Sequence, residues 1–316
     1  MRARSPIAAA LGGVERWIFA PGDPRRLAGC RIGLCLLLGV RLSRPLYLQT
    51  SGQPEALFRP ISFMRLFDTM PGAPVVLAVQ IIAVAACLAG AAGILTKTSM
   101  AAAWTGALFL NGMWSSLGQP MHNETLLMLA FVPLLFAPCA DAWSVHAARH
   151  RTPPPGVSIR YGWPVRTAMI VTAGGYFFTG LNKLVFSGPA WALSDNIRWV
   201  MYRISDESRH PIQAALLLAG HPLLTHIVAA LTLVTEIGFV VVLWKPAALW
   251  FFLPGVVLLH AGIGITMHLD YAAWALTSIV VFVPWEGVAE RLASRRAGAA
   301  RGRPRLQWVA PAPRSE

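Results

Sequence analysis

The chain has 316 residues, 55% of them hydrophobic and 13% charged, with a mean hydropathy of +0.54 and a formal net charge of +13. A soluble domain carries about 25% charged residues, so this composition excludes a water-covered globule and predicts an integral membrane protein in contact with the bilayer. The basic residues lie in loops and tails between apolar runs, which is the membrane pattern rather than a nucleic-acid-binding face.

Residues 1–26 read as a cytoplasmic or interfacial N-terminus. Their apolar piece "IAAALGGV" is short and runs into Glu15–Arg16 without a cleavage site, so no signal peptide is expected. Runs of about 20 apolar residues cross a bilayer. Eight are predicted, at roughly 27–46, 74–95, 98–117, 123–140, 165–186, 222–243, 246–266 and 271–285. The fold class is therefore an all-α, multi-pass transmembrane bundle, with a membrane domain over 27–290. The segment 187–221 is the longest connection, and its "PIQAALLLAG" is too short to span, so an interfacial or re-entrant helix is expected there. The basic segment 291–316 has no apolar periodicity over "RLASRRAGAARGRPR" and is expected to be a disordered cytoplasmic tail.

With eight spans both termini share a side. Eighteen Lys and Arg fall on that side and six on the other, which places both termini in the cytoplasm of a plasma or inner membrane. The four cysteines, Cys30, Cys35, Cys87 and Cys139, lie in apolar runs with no CxxC pair, and buried inert thiols are expected. No metal motif is present, and there is no GxGxxG, P-loop, HExxH or GxSxG in a fitting context.

Ionisable groups inside a bilayer are costly and informative. Counting depth at about 1.5 Å per residue, Arg41, His122, Lys183, His226, His260 and His268 all fall in the outer half. Each has a bland reading. Lys183 reaches the outer headgroups, His122 is loop with Asn123 as a helix cap, His226 and His268 are interfacial, and His260 is a satisfied core histidine. Arg31 and Glu236 count to one level in the inner half and are expected to form a structural ion pair. Lys183 carries more than depth. Thr179 and Gly180 share its helix face, with Gly174 and Gly175 two turns below, and small residues admit a neighbouring helix or a flat ligand. A desolvated lysine can serve as a neutral amine base.

Four segments resemble the HTTM domain, the horizontally transferred transmembrane domain shared with vitamin K-dependent gamma-carboxylase. They are "FAPGDPRRLAGCRIGLCLLL" at 19–38, "HNETLLMLAFVPLLFAPCADAWSVH" at 122–146, "YFFTGLNKLVFSGPAW" at 176–191 and "LLHAGIGITMHLDYAAWALTSIVVFVPW" at 258–285. The resemblance runs from about residue 15 to 290. It implies that Lys183 is the base that deprotonates a reduced quinone, with His122 as its support. Oxygen-dependent epoxidation and glutamate carboxylation would follow. Asn123, Tyr176, His260 and Arg41 are then expected to bind substrate. The carboxylase has a long lumenal portion after its membrane domain. This chain has about 30 residues after its last predicted span, so a peptide-glutamate substrate loses its main support. Two functions stand at this point: a quinol or lipid-phenol oxygenase, carboxylase-like in its chemistry, or a non-catalytic membrane protein that holds a quinone, a lipid, or a redox or peptide partner. A proton-coupled transporter finds no inverted repeat to support it.

Overall fold

The computed structural model describes residues 6–118, 121–151 and 155–301. The described residues are helical, with no strand and one isolated bridge between Gly22 and Ser158. Fifteen α-helices follow in order. They are α1 (Pro6–Ile18), α2 (Pro24–Leu42), α3 (Leu46–Ser51), α4 (Ala73–Ala92), α5 (Thr96–Ser115), α6 (Thr125–Leu135), α7 (Val145–Arg149) and α8 (Ile159–Ser187). Then come α9 (Ala190–Leu193), α10 (Asn196–Glu207), α11 (Gln213–Ala219), α12 (Pro222–Gly238), α13 (Leu249–Met267), α14 (Ala272–Phe282) and α15 (Trp285–Arg301). A 3-10 segment, Phe239–Leu243, prolongs α12.

Local chemistry sets several boundaries. Asp23 caps α2 by accepting from the Arg25 amide, and Pro24 opens its first turn. Gly93 closes α4 in the left-handed region, with φ of 73°. Pro222 opens α12. His268, with φ of 51°, ends α13 and starts the short turn into α14.

Each of the eight predicted spans falls on a helix, but fewer pass as spans by length and composition. Ala73–Ala92, Pro222–Leu243 and Pro246–Met267 are long and apolar enough to cross a membrane. A fourth is added if α14 and the start of α15, bent by 68°, count as one. The reasons are local. Arg25, Arg26, Arg31 and Arg41 crowd α2; α6 and α14 have 11 residues each; α8 has 29 but includes Arg160, Arg166 and Lys183. The tail expected to be disordered from 291 is helical to Arg301, because Ala and Arg favour helix and Glu290 is tied to Arg25 at 2.8 Å. Residues 302–316 lie outside the described residues.

Helix α2 is the centre of the bundle. It buries Leu27, Cys30, Leu34, Cys35, Leu38 and Leu42 against α4, α8 and α14. The peripheral helices do the reverse. In α13 only Val256 is buried, while Trp250, Phe251, Leu258 and Ile265 stand exposed; Val75, Ile81, Ile82 and Leu88 do the same on α4. Exposed apolar faces of this extent are suited to lipid. All four cysteines are free and buried.

The connections gather at two ends. At one end Asn123 and Arg44 meet Asp270, Arg59 meets Ser116, and Met267 packs on the α10–α11 cluster. We call this the His122 end. At the other, Gly22 meets Ser158, and Arg25 meets Glu290. We call this the Asp23 end.

Candidate functional site

Lys183 projects from the last turn of α8 onto α12. Its ammonium donates to both carboxylate oxygens of Glu236 at 2.6 Å and lies 5.1 Å from the ring centroid of Trp191. The side chain is 23% exposed and that of Glu236 8%. Lys183 is therefore partly buried and turned onto α12. Gly180 makes this contact possible, because a Cβ there would meet Ile237 Cγ1 at 2.7 Å and Glu236 Cβ at 2.9 Å. The small face expected beside Lys183 admits a helix, α12, at Gly180; one turn and more below, Gly175 admits Leu126.

The expected Arg31–Glu236 pair is not formed. Arg31 donates instead to four backbone carbonyls: Cys139 and Trp143 at 2.5 Å, Ala91 at 3.2 Å and Ala142 at 3.3 Å. These belong to the C-terminal turn of α4 and to the irregular chain after α6. Depth counting misled here. His226 on α12 lies 3.9 Å from Asp195 in the α9–α10 turn, so α12 begins beside the connecting helices and not at the level where α8 ends. Position 236 thus comes level with Gly180.

Tyr176, two turns below Lys183 on the same face of α8, is 1% exposed and meets His260 of α13, its hydroxyl 3.0 Å from His260 Nε2. Ser278 of α14 donates to the same hydroxyl at 3.5 Å, while Phe239 and Trp274 pack edge-on against the Tyr176 ring. His260 Nδ1 is buried and has no partner among the described residues. His260 also lines a cavity of about 610 Å³ between α13 and α14, with Val257, His268, Tyr271, Leu276 and Ile279.

His122 does not pair with Lys183. Its Nε2 is 2.8 Å from the Tyr271 hydroxyl, and its carbonyl accepts from Trp274 Nε1. Asn123 donates to the Asp270 carbonyl at 2.8 Å rather than capping a helix. Arg41 is engaged by Glu124 at 2.7 Å and Asp270 at 2.8 Å, and Arg44 adds 3.1 Å to Asp270. Burial acts to raise the Asp270 carboxyl, but the Arg41 hydrogen bond and the Arg41 and Arg44 charges hold it below the usual range. So Arg41 and Asn123 fasten the α13–α14 turn that carries Tyr271, and do not themselves face the cavity.

Of the residues named from sequence, the structure joins Tyr176 with His260 directly. His122 reaches the same cavity through Tyr271. Sequence reasoning missed Tyr271, Trp274 and Ser278. Their spacing of three and seven residues marks one helix face with polar tips, and that signal was legible. Among the described residues no group of three or more His, Cys, Asp or Glu is placed to hold a metal. Comparison with protein-family models, with curated proteins and with solved structures finds no match.

Proposed function

We propose that the chain is an integral membrane protein of the HTTM type that binds the phenolic head of a reduced quinone or lipid phenol in the His260–Tyr271 cavity and accepts its proton there. One observation carries this reading: His260 is oriented by Tyr176 at Nε2 and left unpartnered at Nδ1, beside a mostly apolar cavity whose other polar lining is His268, Asp270 and Tyr271. An unmade buried hydrogen bond costs about 1–3 kcal/mol, so a ligand hydroxyl at Nδ1 removes a standing penalty. Tyr271 offers a ring face to a flat head. Val257, Leu276 and Ile279 suit a prenyl or acyl tail. In the family it resembles, the bound quinol supplies the oxidisable electrons. In this reading the chain's own residues orient the hydroxyl, receive its proton at His260 and pass charge toward Tyr176 and the Lys183–Glu236 pair.

The same proposal includes eight membrane crossings, with the Asp23 end and both termini cytoplasmic. The charge bias and the alternation of connections between two ends support it. The short helices α6 and α14 then enter the membrane part-way, with irregular backbone buried in protein.

A second reading, a non-catalytic quinone or lipid carrier, is favoured by the Lys183 ion pair, since both Glu236 oxygens already engage the ammonium. A single set of measurements separates the two. Mass spectrometry of lipid extracts from purified protein is expected to find a quinone or phenolic lipid, lost in His260→Leu and kept in Lys183→Met. Oxygen-dependent quinol consumption that disappears in both Lys183→Met and Lys183→Arg marks the enzyme. Turnover retained in Lys183→Arg removes the Lys183–Glu236 pair from the proton's path. Wild-type protein with no saturable quinone binding overturns both readings.

A further inference from the structure

A second cavity, of about 380 Å³, lies at the Asp23 end among the starts of α2 and α8, the 3-10 segment after α12, and the α14–α15 bend. Two guanidiniums line it. Arg166 is fixed, donating to the Ala20 and Pro21 carbonyls with its Cζ 5.8 Å from the Trp17 ring centroid. Arg26 is not. Its Nη2 has only the Met169 thioether at 3.9 Å, its Nη1 is 3.8 Å from Glu286, and its Nε is buried with no partner among the described residues. Glu286 Oε2 is likewise buried and unpartnered. Asp23, at the same cavity, is already bound by Arg25 at 2.7 Å. The remaining wall is apolar, with Val165, Leu243 and Phe282.

We propose that this cavity binds the headgroup of a glycerophospholipid whose phosphate is followed by a hydrogen-bond donor, as in phosphatidylethanolamine or phosphatidylglycerol. A guanidinium presents five N–H donors, and Arg26 has almost none of them satisfied. A phosphodiester accepts from arginine in the bidentate geometry that planar fork favours. Two arginines face Glu286, which lies 3.8 Å from Arg26 Nη1 without a hydrogen bond, and Asp23 is already neutralised by Arg25, so the cavity favours an anion. Glu286 then decides which one. It repels bare phosphate, and its orphan oxygen requires an N–H or O–H. An ethanolamine ammonium or a glycerol hydroxyl supplies one; a choline does not. The volume holds a headgroup and its first carbons, and the apolar wall receives those carbons. Basic pockets between membrane helices recognise phospholipid heads on this physical ground.

The test is native mass spectrometry of the full chain, in micelles doped with equal amounts of phosphatidylethanolamine, phosphatidylglycerol and phosphatidylcholine. One ethanolamine or glycerol lipid per chain is expected to be retained about tenfold or more over the choline lipid. Arg26→Gln should lower that retention about tenfold, the scale of a lost charged hydrogen bond. Glu286→Leu should keep a lipid but lose the discrimination against choline. Equal retention of the three lipids, undiminished retention in Arg26→Gln, or undiminished discrimination in Glu286→Leu overturns the proposal. Wild-type protein gives an answer that no folding defect can mask. A diazirine-bearing phosphatidylethanolamine should crosslink to the 239–243 segment or to Phe282, and crosslinks confined to the outer faces of α4 and α13 overturn it. Displacement of the lipid by an equal concentration of soluble glycerophosphoethanolamine would assign the site to a free phosphodiester instead, and also overturn it.

Discussion

Lys183 stands four residues from the end of α8, close enough for its stem to reach water, yet its ammonium is turned onto Glu236. The reason lies with the partner. Glu236 is nearly enclosed, and a carboxylate enclosed without a cation is costly. The pair is therefore mutually required. Lys183→Met and Glu236→Gln should each lower stability, Lys183→Met by about 1–3 kcal/mol, less than for a dry pair because Lys183 keeps some exposure. The double variant should lose less than the two singles combined, read as thermal unfolding in detergent. Strict additivity would mean that the two groups do not interact.

At the scale of elements, two short helices raise the question of how irregular backbone survives among membrane helices. After α6 the chain turns at 136–144 without regular structure, and its carbonyls need donors. Arg31 provides them, reaching Cys139, Ala142 and Trp143 as well as Ala91 in the last turn of α4. Carbonyls at a helix C-terminus carry partial negative charge, so they stand in for a carboxylate. Arg31→Met should lower stability by roughly 3 kcal/mol or more, because several buried acceptors lose their donor together. Arg31→Lys, with a single point of donation, should recover part of it. Combined with Glu236→Gln, the Arg31→Met effect should add within about 0.5 kcal/mol. A coupling above about 1 kcal/mol would restore a direct Arg31–Glu236 interaction.

The whole molecule has two polar ends with different furnishings. The His122 end holds the His260–Tyr271 cavity and the Arg41–Glu124–Asp270 knot; the Asp23 end holds the Arg26–Arg166 cavity. The charge bias predicts that the first end faces outward. The four native cysteines are buried, so single engineered cysteines report cleanly. A membrane-impermeant thiol reagent added outside should label a cysteine at Gln53 and miss one at Ser294. Labelling of Ser294→Cys from outside in intact cells would reverse the orientation or change the number of crossings.

The positions of the long apolar helices were legible in sequence alone, since an apolar run of that length is what a lipid-facing helix requires, while the helix over 285–301 was not. The cost of ionisable groups in lipid picked out Lys183, His122, His260 and Arg41, and the resemblance added Tyr176 and Asn123; all lie toward the His122 end. Their partners were not legible. Depth counted from a helix end assumes that the helix starts at the membrane surface; α12 starts beside α9 and α10 instead, so Glu236 meets Lys183 and not Arg31. Tyr271 and Trp274 stand in the 258–285 segment, but only the turn after His268 aims them at His260 and His122. Backbone carbonyls leave no mark in a sequence at all, and Arg31 is paired with them. Sequence determined which groups must avoid lipid. Tertiary packing decided which of them answer one another, because that depends on the axial offset between helices, which no residue encodes by itself.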